Sequence, residues 1–216
     1  AIISEVKQKG DIALIKYSRE YDNYDVRSAS ELEITKEECL EALKKISKKE
    51  LDALKFAKSR IQEFSEHQKA KPWEYTSEGI TLGEKVTAID KVGIYVPGGS
   101  AAYPSSVLMN SIPASVAGVK EIIMVVPSPK EEVNNTVLAA ASLGGVDRIF
   151  RLGGAHSIAA LAFGTDTIPK VNMIVGPGSQ YVAEAKKELY GQVGIESFAG
   201  PSDILIIADS SANEEW

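Results

Sequence analysis

The residues Val92 to Asn110, VGIYVPGGSAAYPSSVLMN, constrain the fold of this chain more than any other stretch. An apolar strand, Val92 to Val96, runs directly into Pro97-Gly98-Gly99-Ser100, and the small and apolar residues that follow have only a helix open to them. A strand, tight glycine loop and helix in succession belong to α/β sheets. There a glycine loop at the carboxyl end of a strand, facing a helix amino terminus, accommodates anionic ligands. The same grammar recurs at Met173-Ile174-Val175, Gly176-Pro177-Gly178-Ser179 and the helical Gln180 to Tyr190. Two such loops are expected to face one cleft.

From Val92 onward the chain alternates. Strand 92–96 precedes a helix over about 104–118, then come strand Glu121 to Val126, helix Glu131 to Leu143, strand Arg148 to Leu152 and helix Ser157 to Phe163. Strand Val171 to Val175, helix Gln180 to Tyr190 and short strands near Val193 and Ile204 to Ala208 complete it. Parallel strands need long crossovers, so this alternation predicts an α/β fold with a mostly parallel sheet and helices on both faces.

Residues 1 to 70 are helical and charged, forming an N-terminal helical segment. Ile3, Val6, Ile12, Leu14, Ile15 and Tyr17 form an apolar set interrupted at Gly10-Asp11, a break between two helices or a kink. Thr35 with Glu38 and Ser47 with Glu50 satisfy the capping box and predict two helix starts. From the second, Leu51, Leu54, Ile61 and Phe64 make one apolar stripe. Around Pro72 to Asp90 the period changes to that of a hairpin or irregular strands, a natural boundary. The expected division is 1–90, a helical segment plus hairpin; 91–203, the α/β domain; and 204–216, the first strand of a return into the other domain.

With 216 residues, 44% of them hydrophobic, the chain supplies a sizeable core. A net charge of -6, with lysines interleaved among acids, excludes nucleic acid as the expected partner and leaves a small molecule. Cys39 is the one cysteine, which excludes an internal disulfide framework and fits the cytoplasm. No apolar run approaches the roughly 20 residues of a membrane span. Glu5, Lys7, Lys9 and Asp11 are incompatible with a secretory signal core. The sequence opens inside a helical pattern and closes on Asn213-Glu214-Glu215-Trp216 soon after a strand, so both ends read as cuts.

The dinucleotide fingerprint G-x-G-x-x-G is absent, because Gly176-Pro177-Gly178-Ser179-Gln180-Tyr181 lacks the third glycine. No Gly-Lys-Ser/Thr follows any glycine loop, which excludes a P-loop triphosphatase. For Gly98, Gly99, Gly176 and Gly178, turn geometry and a ligand role both stand. Gly200-Pro201-Ser202-Asp203 forms a third loop. Of the two histidines, His67 lies at the charged end of a helix and reads as a solvated surface residue. His156, after Gly153-Gly154-Ala155, is either a cleft residue or a helix-cap residue. Zinc needs three or four convergent ligands, and spacing supplies none. Cys39 reads as a half-buried structural thiol. Spacing alone assigns no acid, base or nucleophile.

The stretches VGIYVPGGSAAYPSSVLMNSIPASVAGV (92–119), GGAHSIAALAFGTDTIPKVNMIVGPGSQYVAEAKKELYG (153–191) and VGIESFAGPSDILIIAD (193–209), with GDIALIKYSREYD (10–22), closely resemble the histidinol dehydrogenase family. The resemblance implies an incomplete Rossmann-like fold. It also implies a homodimeric zinc enzyme that oxidises L-histidinol through the aldehyde to L-histidine with two NAD⁺, in histidine biosynthesis.

Residue by residue, it implies that Tyr95, in the Y-[IV]-P-G-G motif, contacts NAD and that Ser202, in A-G-P-S, contacts substrate. His156 stands where the family usually has Gln, and Ser179 where it usually has Asn; both positions contact NAD in the family. His and Ser retain a hydrogen-bond donor, and Ser is shorter than Asn by about one heavy-atom reach, leaving a direct or a water-mediated contact open. The family's zinc ligands and catalytic Glu-His pair lie downstream of the A-G-P-S strand, beyond Trp216, so no catalytic or metal residue is expected in this chain. The resemblance thus implies an inactive fragment of the enzyme. A related zinc/NAD alcohol dehydrogenase for another substrate, or a non-catalytic nucleotide-binding or dimerising module, are the alternatives.

Overall fold

A computed structural model describes residues 1–98, 102–128, 133–198 and 203–213. Helices α1 (Ile2–Lys9) and α2 (Asp11–Tyr21) meet at Gly10, whose φ of 52° ends one helix and starts the next. The interruption at Gly10-Asp11 is therefore a true break. Within this pair Val6, Leu14 and Tyr17 are buried, whereas Ile12 is 71% exposed and drops out of the apolar set.

A 3-10 turn, Ala29–Leu32, leads into β1 (Glu33–Ile34), α3 (Lys36–Lys45) and α4 (Lys48–Gln68). Both expected capping boxes form. Thr35 Oγ1 and Ser47 Oγ each accept the third helical N–H at 3.2 Å, while Glu38 and Glu50 each accept the cap's own N–H at 2.8 Å. Each such cap stabilises its helix by about 1 kcal/mol. Along α4 the stripe runs Leu54, Ala57, Ile61 and Ser65. Phe64 is 64% exposed: Ser65, its hydroxyl donating to the Ile61 carbonyl at 2.7 Å, takes the inward position instead.

The period change after residue 72 produces a hairpin, β2 (Trp73–Ser77) and β3 (Ile80–Glu84). Its two turn residues, Glu78 and Gly79, have φ of 50° and 81°, the positive pair of a tight hairpin turn that twists with its strands. Every residue of both strands is exposed.

The main sheet takes β4 (Lys91–Tyr95), β5 (Glu121–Val126), β6 (Arg148–Arg151), β7 (Met173–Val175) and β8 (Gly194–Ile195), all parallel to their neighbours, with β1 antiparallel on the β6 edge. Its order is β1-β6-β5-β4-β7-β8. Between the strands run α5 (Pro104–Ala117), α6 (Asn135–Gly144), α7 (Gly154–Phe163) and α8 (Gln180–Leu189). Helix α6 starts later than the sequence pattern suggests because the Asn134 side chain accepts from Thr136 N at 2.8 Å and fixes the start there; Glu131 lies outside the described residues. Helix α7 starts at Gly154, one turn earlier than expected, and β7 begins at Met173 rather than Val171. The run Ile204 to Ala208 has the composition of a strand but forms none: a strand needs a neighbour, and Ile204–Ile207 stay 81–89% exposed.

Alternation along the strands builds two cores. On one face Met124, Val126, Ile94 and Val96 pack with α3, α4, α5 and α6; on the other Ile123, Val125, Tyr95 and Phe150 pack with α1, α2, α7 and α8. The helices that precede residue 90 thus lie on the sheet that follows it. From β4 the chain winds outward through β5 and β6, then crosses back to β7 and β8 on β4's other side. This is a doubly wound, Rossmann-like arrangement whose switch point lies between β4 and β7, where such sheets open a crevice at their carboxyl edge.

Candidate functional site

At the switch point β4 and β7 pair in register, Gly93 with Ile174 and Ile94 with Val175, so their loops leave the sheet side by side. Gly176 turns away at φ 107°, and a Cβ there would stand 2.1 Å from the Tyr95 carbonyl oxygen. At Gly98 a Cβ would meet the Pro127 carbonyl oxygen at 2.6 Å. Both glycines are required by backbone packed on backbone, so for them the turn-geometry reading holds. Gly99 and Ser100 lie outside the described residues.

Behind the loop after β7, the Lys186 ammonium is almost wholly buried. It donates to the Gly176 carbonyl at 2.9 Å and to Glu196 Oε1 at 2.7 Å, and the same Glu196 oxygen accepts from Gly176 N at 2.9 Å. Both polar groups of Gly176 are thereby held by one ion pair, which fixes the lip of the crevice.

On the α7 side Tyr95 projects from the end of β4 into the core and is 4% exposed, its hydroxyl accepting from Gly154 N at 3.4 Å. Burial, helped by the charge of Asp22, pushes the phenol up to about 12, so it keeps its proton at neutral pH. Among the described residues no acceptor takes that proton.

His156, in the first turn of α7, is 1% exposed and neither opens onto solvent nor caps the helix. Its Nε2 lies 3.1 Å from Asp22 Oδ2, which also accepts from Gly153 N at 3.3 Å. The rings of Tyr17 and Tyr21 lie 5.8 and 6.4 Å from the imidazole. Tyr95 and His156 are thus joined through the Gly153-Gly154 backbone. Asp22, Lys186 and Glu196 lie inside the stretches 10–22, 153–191 and 193–209 that carry the resemblance, but the motifs read from those stretches assign them no role. A signal for the first is its place at the carboxyl end of α2, where a negative charge opposes the helix dipole.

Ser179 stands exposed at the amino terminus of α8 and makes no side-chain cap bond. Helices α5 and α7 likewise start without a side-chain cap, whereas α3, α4 and α6 are capped by Thr35, Ser47 and Asn134. Of the two helices nearest the switch point, α5 opens on Pro104, which has no N–H, and Ser106 N bonds the Tyr103 carbonyl at 3.1 Å, whereas α8 after β7 carries no side-chain cap on its first turn, the kind of helix start that receives an anion. Ser202 lies outside the described residues. His67 is exposed, and Cys39 is buried with its thiol pushed up by desolvation, too protonated for a nucleophile.

The model of the family described as histidinol dehydrogenase matches residues 1–216. The chain belongs to the histidinol dehydrogenase family. Among curated relatives, histidinol dehydrogenase of Hydrogenovibrio crunogenus is 51% identical over the whole chain and that of Nitrosomonas europaea 52%. The chain spans about half the length of each, 50% in both. The crystal structure of histidinol dehydrogenase from Elizabethkingia anophelis superposes with a TM-score of 0.90 at 36% identity, covering 99% of this chain and 49% of that one. In this half of the histidinol dehydrogenase fold, no three His, Cys, Asp or Glu side chains among the described residues converge on a metal-sized space. Nor is any helix among them long and apolar enough to cross a membrane.

Proposed function

We propose that the protein carrying these residues oxidises L-histidinol to L-histidine through histidinal with NAD⁺, and that this chain supplies the cofactor half of the site. The observation that carries the reading is the family match over all 216 residues, placed on a doubly wound sheet whose switch point between β4 and β7 is where such sheets bind anionic ligands. Bound NAD⁺ would accept the hydride. The chain's own residues do the holding: the first-turn amides of α8, which has no side-chain cap, suit a pyrophosphate, and the protonated Tyr95 hydroxyl is a donor with no acceptor among the described residues. Ser179 hydroxyl, exposed beside those amides, adds a second donor. The buried contact of His156 with Asp22 supports a role for it behind the site rather than on the cofactor.

Among the described residues no set of side chains fits zinc. The proposal places the zinc ligands, the catalytic acid and base, and the rest of the substrate pocket around Ser202 in residues after Trp216. Helices α1 to α4 already lie on the sheet, so within 1–90 it is the fully exposed hairpin that later residues would complete, with 204–216 starting a strand that returns toward it. A homodimer acting in the cytoplasm completes the proposal. Full-length protein given NAD⁺, zinc and L-histidinol should produce NADH with a stoichiometry of two per histidine formed. Turnover of another amino alcohol with none of histidinol would overturn the substrate and leave the family.

A further inference from the structure

The structure assigns Asp22 as a positioning residue for the nucleotide cleft, acting on Tyr95 through the first turn of α7. This rests on the reading of that cleft as the NAD site.

Asp22 comes from the far end of the chain's fold, the carboxyl cap of α2, yet its carboxylate is aimed into the loop after β6. Its Oδ2 takes His156 Nε2 at 3.1 Å and Gly153 N at 3.3 Å. Its Oδ1 fills the place a side chain at Gly153 would need, 2.9 Å from where a Cβ would stand. The next amide along, Gly154 N, is the one that reaches the Tyr95 hydroxyl. One carboxylate thus fixes two points of a turn, and the third point fixes the phenol.

Several features set this apart from incidental packing. Only 10% of the Asp22 side chain and 1% of the His156 side chain are exposed, and burying such groups is unfavourable unless each is paired. A carboxylate at a helix carboxyl end also runs against the helix dipole, so α2 itself gains nothing from it. Gly154, at φ 55°, takes a conformation open to glycine, and Ser157 Oγ donating to its carbonyl at 2.8 Å ties the other side of the turn. The Tyr17 and Tyr21 rings, stacked at 5.6 Å, bound the imidazole on the α2 side. The pair is closed in, and the backbone it bonds is that of the turn whose next amide reaches Tyr95.

The test uses full-length protein carrying D22A, D22N, Y95F or D22A with Y95F. NAD⁺ affinity is measured by calorimetry, KM for each substrate by kinetics, and exchange of the Gly153 and Gly154 amides by hydrogen-deuterium exchange. D22A should weaken NAD⁺ binding about tenfold, the scale of one lost hydrogen-bonding arrangement, and raise KM for NAD⁺ while leaving that for histidinol in place. D22N keeps an acceptor for Gly153 N and should recover part of the loss. The double variant should bind no worse than Y95F alone, and both amides should exchange faster in D22A. Wild-type affinity in D22A, full additivity with Y95F, or unchanged amide exchange overturns the assignment of Asp22. Failure of the unaltered protein to bind NAD⁺, or indifference of binding to Y95F, instead overturns the cofactor reading, while the amide exchange still decides whether Asp22 holds the turn.

Discussion

The two faces of the sheet bury apolar side chains by the same physics and differ in what else they bury. Beneath α3 to α6 Ser65 and Ser111 are buried polar residues, the one charged contact those helices make with the sheet among the described residues is the partly exposed Glu38 of α3 on Arg151, and three of the four helices start on caps of their own. Beneath α1, α2, α7 and α8 lie His156 and Lys186, paired with Asp22 and Glu196, all at the carboxyl edge. Buried charge is costly to stability and is kept where geometry must be held. One face is therefore scaffold; the other is scaffold and site together.

The widest way to break that comparison is to cut a cavity in each face. Phe150, wholly buried under α7, and Met124, wholly buried under α3 to α6, are central to their respective cores. Phe150→Ala should destabilise the fold by about 3–5 kcal/mol and Met124→Ala by about 2–5 kcal/mol, read by denaturant unfolding. NAD⁺ titration below the transition then separates them. Phe150→Ala, sharing its core with Tyr95, should also weaken binding, and Met124→Ala should leave it unchanged. Equal weakening by both would erase the distinction between the faces.

A smaller effect sharpens the same contrast at alkaline pH. The Tyr95 phenol, ordinarily at 10.0, is held up to about 12 in the fold, so the folded state keeps a proton that the unfolded chain releases. A raised folded value means stability is intact below pH 10 and is lost as pH rises toward 12. The loss is on the order of 2–3 kcal/mol at most for a two-unit difference. Tyr95→Phe should remove most of that decline. On the other face the Cys39 thiol is also raised by burial, so Cys39→Ala should blunt an earlier decline, above its ordinary 9.0. Unfolding midpoints across pH 8 to 12 for the two variants give the two contributions, and an unaltered alkaline slope in Tyr95→Phe would sink the first.

The scaffold was largely legible in sequence because its signals are local. Both capping boxes, the break at Gly10, the hairpin and the strand Glu121–Val126 follow from a few neighbouring residues, and the alternation of strands and helices implied the parallel sheet. Elements misjudged were those decided at a distance. Phe64 has the right spacing but the wrong phase, and the inward place goes to a serine. Ile204–Ile207 reads as a strand yet has no neighbour in the described chain. Of the proposed site, Tyr95, His156 and Ser179 come from motifs of the resemblance and the loop of Gly176 from its glycines; how they are held does not. Asp22 and His156 are 134 residues apart, and their pairing follows from how α2 crosses α7, which no spacing records.

The smallest expected effect is on the surface of the site-bearing face, where α1 is tied to α2. Glu5 accepts from the Tyr17 hydroxyl at 2.5 Å and from Lys16 and Lys9 at 2.9 Å each, and these bonds, Tyr17 first, hold its carboxyl down to about 2 from an ordinary 4.5. A depressed folded value contributes stability above pH 4.5 that is lost as pH falls toward 2. The Glu5 carboxylate lies at the surface, partly exposed, with lysines that are half exposed, so screening keeps the contribution small and salt-sensitive. Tyr17 also lines the His156 pocket, so the clasp is the outermost tie on the helix that carries Asp22. Glu5→Gln should flatten the acid limb of the unfolding midpoint between pH 4.5 and 2 at low salt and do little at neutral pH, with NAD⁺ affinity unmoved. If Glu5→Gln weakens NAD⁺ binding as much as D22A, the α1 clasp is itself part of the positioning, and the site extends over the whole of that face.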